Sequence, residues 1–246
     1  MSREALRAKW ECDNHNTAKM GFIQELKVVR EKAFMEYNER LMKYDKLASE
    51  QSLKKTVAGL KERGMEGIVV ENRAEALEKI KALIPKKASV MNGASETLKE
   101  IGFIDYLKDG KHGWKNLHEA ILKENDAAKK AVLRKQAVLS DFYLGSVHAL
   151  TEEGELVIAS NSGSQLPHLV FTSQNLILVV GAQKITPNVN SGLKRLREYV
   201  FPLEDARMKS TGAKGSAISK LLIVEREQAF MGRKVHVLIV KEKLGF

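Results

Sequence analysis

Four short stretches carry the residue types that could bind or transform a small molecule. Asn92-Gly93-Ala94-Ser95-Glu96-Thr97 sets a glycine beside hydroxyls and a carboxylate where a strand would pass into a helix. Gly93 would permit a sharp turn and close ligand approach, and free amides at the helix start attract carboxylate or phosphate. The same residues also read as an ordinary cap, with Ser95 or Thr97 accepting those amides and Glu100 closing a box. Gly145-Ser146-Val147-His148 offers an imidazole, a candidate acid or base, although a lone strand histidine is commonly structural. Ser160-Asn161-Ser162-Gly163-Ser164-Gln165 strings six small or polar residues after an apolar run, more than a turn requires, and reads as ligand-binding. Gly181-Ala182-Gln183-Lys184 ends in a lysine that could neutralise an anion.

The elements that would position these stretches alternate strand and helix. Gly67 to Val70 and Ala88 to Met91 are short β-branched or apolar runs. Each is followed by an amphipathic segment, the first carrying Ala74, Leu77, Ile80 and Leu83 up to Pro85, the second starting near Ser95. This alternation predicts an α/β fold, a three-layer α/β/α arrangement around a mostly parallel sheet. A polar helical stretch spans Asn116 to Lys135 and leads into a strand over Ala137 to Leu144. A hairpin turns at Thr151 to Gly154, and a helix is expected near Leu166 to Ser173. Leu176 to Val180 is the most hydrophobic strand and is expected at the sheet centre. Leu193 to Val200 reads as a helix, and Leu221 to Val224 with Val235 to Val240 are expected to complete the sheet. In such sheets ligands bind at the carboxyl ends of strands, where all four polar stretches fall.

Before Gly67, apolar residues recur at helical spacing from about Arg3 to Arg63. Phe22, Leu26, Val29 and Ala33 form one stripe, and Phe34, Tyr37, Leu41 and Tyr44 continue it. Residues 1–64 therefore read as an N-terminal helical arm and 65–246 as the α/β domain. The arm could lie on the core or pair with a second copy, giving a homo-oligomer.

Composition removes several classes. No apolar run approaches the roughly 18 residues of a membrane helix, and the charged N-terminus does not read as a targeting segment, so a cytoplasmic protein without membrane attachment is expected. The single cysteine, Cys12, forbids an intrachain disulfide, an iron–sulfur cluster or a cysteine-built zinc site within the chain. The histidines are scattered, so no metal site and no cofactor are expected. The net charge is +10, but lysines alternate with glutamates through the first half, and aromatics do not interleave with the basic cluster after Ser191. That pattern argues against nucleic acid and fits a small anionic metabolite. The basic loop Arg207 to Ser216 lacks the residue order of a phosphate loop and reads as either a mobile lid or a surface loop.

Taken together, Asn92 to Gly102, Gly145 to Gln165, Val179 to Ile185 and the ending Lys241-Glu-Lys-Leu-Gly-Phe246 resemble the LUD (lactate-utilization) domain family, from about Asn72 to the C-terminus. The resemblance implies a fold like that of ribose-phosphate isomerase, glucosamine-phosphate deaminase and CoA transferases, and an association with oxidation of lactate to pyruvate. Two departures matter. Cluster-binding cysteine motifs are missing, so the chain resembles the cluster-free members. Val147 stands where sugar-phosphate isomerases carry a catalytic aspartate, and an aliphatic side chain accepts no proton. The leading expectation is a protein of organic-acid utilization that binds an anionic metabolite between Asn92–Thr97, Gly145, Ser160–Gln165 and Lys184. If it is an enzyme, Glu96, His148 and Lys184 are the candidate catalytic groups, with Ser95, Ser162 and Ser164 orienting the ligand. Two other readings stand beside it. One is an isomerase-like or CoA-transferase-like enzyme acting on a phosphorylated or CoA-linked compound. The other is a non-catalytic subunit whose arm docks on an iron–sulfur redox partner.

Overall fold

The structure, a computed structural model, describes residues 28–32, 35, 39 and 42–246. The chain divides into two compact units, residues 1–43 and 44–246. In the first, the described positions are helical, and most of the expected arm, including the stripe Phe22, Leu26 and Ala33, lies outside the described residues.

The second unit is an α/β domain. Its first helix, α1 (Glu50–Glu62), is capped by Ser49, whose hydroxyl accepts the Ser52 amide at 3.2 Å. The sequence reading placed this helix in the arm; here it buries Leu53 and Leu60 in the domain core. Strand β1 (Glu66–Val70), helix α2 (Arg73–Leu83), strand β2 (Ser89–Asn92) and helices α3 (Glu96–Glu100) and α4 (Phe103–Lys108) follow. Next come β3 (Lys115–Asn116), α5 (Leu117–Lys123), α6 (Ala127–Gln136) and β4 (Phe142–Gly145). The chain continues through β5 (Ala149–Thr151), β6 (Leu156–Ser160), β7 (Asn175–Gly181) and β8 (Ile185–Thr186). It ends with α7 (Val189–Arg195), α8 (Phe201–Ser210), β9 (Lys220–Val224) and β10 (Lys234–Val240).

Six strands form an all-parallel sheet in the order β1-β10-β7-β4-β2-β3. Strand β7 is interior, as its continuous apolar run predicts. Its side chains alternate between two cores. Ile177 and Val179 pack with Ile80, Leu98 and Phe103 from the helices after β1 and β2. Leu176, Leu178 and Val180 pack on the other face with Leu53 and Leu60 of α1 and with Leu150, Leu156 and Ile158. Helices therefore flank the sheet, consistent with the three-layer fold.

The sequence reading had Leu221 to Val224 completing the main sheet, and the structure corrects this. β5, β6, β8 and β9 form a second, mixed sheet in the order β8-β5-β6-β9. The hairpin explains the split: β5 pairs antiparallel with β6, and β9 extends β6 antiparallel through Leu156↔Val224 to Ser160↔Lys220. Leu221 to Val224 thus never joins the parallel strands. The helix expected from Leu193 continues further, since α7 runs through a π-helical turn (Leu196–Val200) directly into α8.

Candidate functional site

The carboxyl ends of β2, β4 and β7 and the end of β6 converge on one cavity of about 380 Å³. Gly93 to Thr97, Gly145 to His148, and Ser160 to Ser162 with Ser164 and Gln165 line it. The lining also includes a helical face that the sequence reading did not assign to the site: Leu196, Val200, Phe201, Glu204, Arg207 and Met208. Ser216 to Ile218 and the terminal pair Gly245 and Phe246 complete the lining. The structure thus brings together thirteen of the fifteen expected residues; Asn92 and Gly163 do not line the cavity. Asn92 is buried behind it and donates to the Gly93 carbonyl at 3.2 Å, and Gly163 shapes the neighbouring turn at φ 85°. A larger hollow of about 970 Å³ lies at the opposite end of the strands, among Glu66, Phe142, Asn175 and Lys234. Its buried cation Arg233 is matched by Glu227 at 3.0 Å, so it offers no uncompensated buried charge.

Lys184 reaches the first cavity from a short 3-10 turn (Ala182–Lys184) after β7. It is 2% exposed. Its Nζ donates to Thr97 Oγ1 at 2.9 Å, Ser146 Oγ at 3.1 Å and the Val147 carbonyl at 3.4 Å. All three acceptors are neutral, and Lys184 makes no ion pair among the described residues. Burial first and then the Arg195 charge lower its pKa to about 7, with Glu100 acting in the opposite direction.

Arg195, on α7, is fully buried and donates from Nη1 to the His148 carbonyl at 2.6 Å. Its Nε and Nη2 have no hydrogen-bond partner, and its guanidinium lies 5.0 Å from the centre of the Tyr199 ring. Burial brings its pKa down to about 10. The sequence reading missed this residue: Arg195 sits in a helical run where a basic residue ordinarily faces solvent, and only packing shows that it points inward.

His148 feels the charges of both cations. Burial, then the Lys184 and Arg195 charges, push its pKa down to about 3, so the ring is neutral. Its Nδ1 accepts the Ala159 amide at 3.0 Å, which leaves the proton on Nε2. The imidazole is therefore a hydrogen-bond donor at Nε2. Glu96 stands at the rim, 3.6 Å from Arg207 and 3.5 Å from Lys99, and Arg207 is also held by Glu204 at 2.7 Å.

The polar loops are partly committed to themselves. Ser95 caps α3 by accepting the Leu98 amide at 3.2 Å. Glu100 closes no capping box; it accepts the Gly245 amide at 2.8 Å. Ser162 and Ser164 bond each other at 3.0 Å, and Gln165 donates to the Ala159 carbonyl at 3.0 Å. Gly93 lines the cavity, and its lack of a side chain also meets a packing need. A β-carbon there would come 2.5 Å from the Tyr143 hydroxyl, so the missing side chain makes room for a buried protein ring. That ring stacks on His168 with centroids 4.4 Å apart.

The terminal Leu244–Phe246 segment, part of the family resemblance, is not among the expected site residues. Gln183 clamps it, donating from Nε2 to the Leu244 carbonyl at 2.9 Å and accepting the Leu244 amide at 3.3 Å. Gly245 takes φ 58° and passes close to Thr97 and the Lys184 amine, where a β-carbon would come 2.5 Å from Thr97 Oγ1. The Arg207–Ser216 stretch is not a free loop throughout. Its first residues belong to α8, and the Ser216 amide returns to Asp205 Oδ1 at 2.8 Å.

Fold and cavity together define an α/β protein with a cation-bearing, hydroxyl-lined pocket at the carboxyl ends of its parallel strands. The LUD domain family model matches residues 53–240, and the chain belongs to that family. A solved structure, a DUF162 family protein from Deinococcus radiodurans, aligns with 15% identity and a TM-score of 0.48, covering 79% of this chain and 99% of that one. No curated protein matches the chain. Among the described residues no group of histidine, cysteine, aspartate and glutamate is arranged to hold a metal. No described helix is long and apolar enough to cross a membrane.

Proposed function

We propose that the cavity binds a small anionic metabolite, a carboxylate or a phosphorylated or CoA-linked compound, and that the protein serves organic-acid utilization of the lactate type. One observation carries the reading. Lys184, which lines the cavity, and Arg195 are both buried, the Arg195 charge disfavours the Lys184 charge, and neither makes an ion pair among the described residues, although Glu100 and Asp45 act on them electrostatically. Burying like charges without a directly paired counter-ion is costly, and an anion seated beside Lys184 in the cavity offsets that cost. The hydroxyls of Ser95, Ser146, Ser160, Ser162 and Ser164 supply donors that would fix its orientation. The organic-acid role rests on family membership together with this chemistry.

Thermal unfolding against 2-hydroxy acids, 2-oxo acids, sugar phosphates, nucleotides and CoA esters tests the reading. A ligand at about a hundred times its Kd contributes roughly 2.7 kcal/mol, which raises the Tm by about 5–10 °C for a domain of this size. The shift should shrink in Ser162→Ala, which is exposed and whose loss leaves the fold intact. If no member of the panel moves the Tm, the anion-binding reading fails.

A further inference from the structure

We infer that Lys184 is a nucleophile toward carbonyl compounds, its amine condensing with the oxo group of an anionic 2-oxo acid held in the cavity to form an imine. The inference rests on the anion-binding reading and adds a covalent step to it. Of the lysines in the described residues, Lys184 alone is buried. The remainder are exposed or half-buried, several of them paired with carboxylates, as Lys99 is with Glu96 and Lys209 with Asp205. A lysine that serves only as a counter-charge has no need of neutral partners. Lys184 has only these, two hydroxyls and a carbonyl, so it can shed its proton without stranding a buried carboxylate.

The groups facing the amine favour its neutral form. The Arg195 charge disfavours a second cation beside it, and His148 is itself neutral. Glu100 is the one acid acting in the other direction, and it is engaged with the Gly245 amide. The depression of the Lys184 pKa to about 7 agrees with this arrangement. A desolvated amine beside a second cation is a general way of making lysine nucleophilic at neutral pH.

The step balances without an oxidant or a metal. The Nζ lone pair adds to the carbonyl carbon, forming the C–N bond, and the carbonyl oxygen takes up a proton. Nitrogen then loses a proton, and the carbinolamine C–O bond breaks as oxygen leaves as water. Thr97 Oγ1 and Ser146 Oγ, 2.9 and 3.1 Å from Nζ, are placed to pass protons between nitrogen and the departing oxygen. Once protonated, the imine draws electrons from the adjacent carbon and carries the positive charge that the substrate carboxylate needs.

The competing account makes Lys184 a tether that joins α3 to the β4–β5 loop. The experiment incubates the full chain with pyruvate or 2-oxobutyrate, reduces with cyanoborohydride and maps the adduct by peptide mass. One dominant adduct on the peptide holding Lys184 is expected, with labelling exceeding that of the average exposed lysine by roughly tenfold or more, since each pKa unit changes the neutral fraction tenfold. Lactate, which has no carbonyl, should give none. Lys184→Arg should lose the adduct, and the wild-type peptide map decides the question even if that variant fails to fold. No adduct, or adducts spread over exposed lysines, overturns the nucleophile. If lactate still raises the Tm in that case, anion binding stands without it; if neither acid does, both readings fall.

Discussion

Replacing Lys184 by Met should stabilise the fold at low pH and do so progressively less as pH rises. A buried lysine whose folded pKa lies near 7, against 10.5 for the free side chain, binds fewer protons folded than unfolded throughout the interval between those values. Its burial therefore costs most below about pH 7, and the cost is relieved as pH climbs toward the unfolded value. Between pH 6 and pH 9 the relief amounts to roughly 2–3 kcal/mol, taking about 1.36 kcal/mol per pKa unit. The variant lacks that term. It also leaves Thr97 Oγ1, Ser146 Oγ and the Val147 carbonyl without the donor, a pH-independent loss of about 1–3 kcal/mol. The decisive quantity is therefore the change with pH of the difference between the two proteins, in which every other titration largely cancels. Urea unfolding of both proteins at the two pH values measures it. Wild type should gain on the variant by 2–3 kcal/mol, roughly, on going to pH 9. A difference that stays flat, or one that moves the other way, would show that the amine is solvated and ordinarily charged, and would refute the picture of an uncompensated buried cation.

Two further outcomes follow from the same geometry. Calorimetric binding of a 2-hydroxy acid should weaken as pH rises above about 7, by up to roughly tenfold per unit, because the anion favours protonated Lys184 and binding must then take up a proton; pH-independent affinity would place the anion elsewhere. Gly93→Ala should lower stability by about 1–3 kcal/mol in chemical denaturation, because the added methyl meets the buried Tyr143 hydroxyl; an unchanged midpoint with lost binding would return Gly93 to a ligand-approach role.

Much of the architecture was legible in the residues. The interior strands β7 and β10 are legible because parallel strands covered on both faces must be apolar along most of their length, as Leu176 to Val180 is, while β1, β2 and β6 show as short apolar runs. The polar stretches after β2, β4, β6 and β7 were legible as candidate site loops, since hydroxyls and glycines exceeding the needs of a turn stand out locally. Lys184 could be picked out for its place just beyond the most hydrophobic strand. The second sheet could not, because an antiparallel hairpin and its partner β9 show the same short apolar runs as parallel strands, and pairing partners are fixed by packing across long stretches of chain.

What the sequence determined by itself is the set of elements and the chemistry offered at their ends, because periodicity and residue type act over a few neighbours. Only the tertiary structure decided which buried charges lack a direct ion-pair partner. Arg195 and Lys184 look like any other basic residues until folding buries Arg195 against Tyr199 and the His148 carbonyl and Lys184 against Thr97, Ser146 and the Gly245 turn. Desolvation, which sets whether an amine is a solvated cation or a reactive base, is a property of everything within a few ångströms, and those atoms come from Thr97, Ser146, Arg195 and Gly245, far apart along the chain.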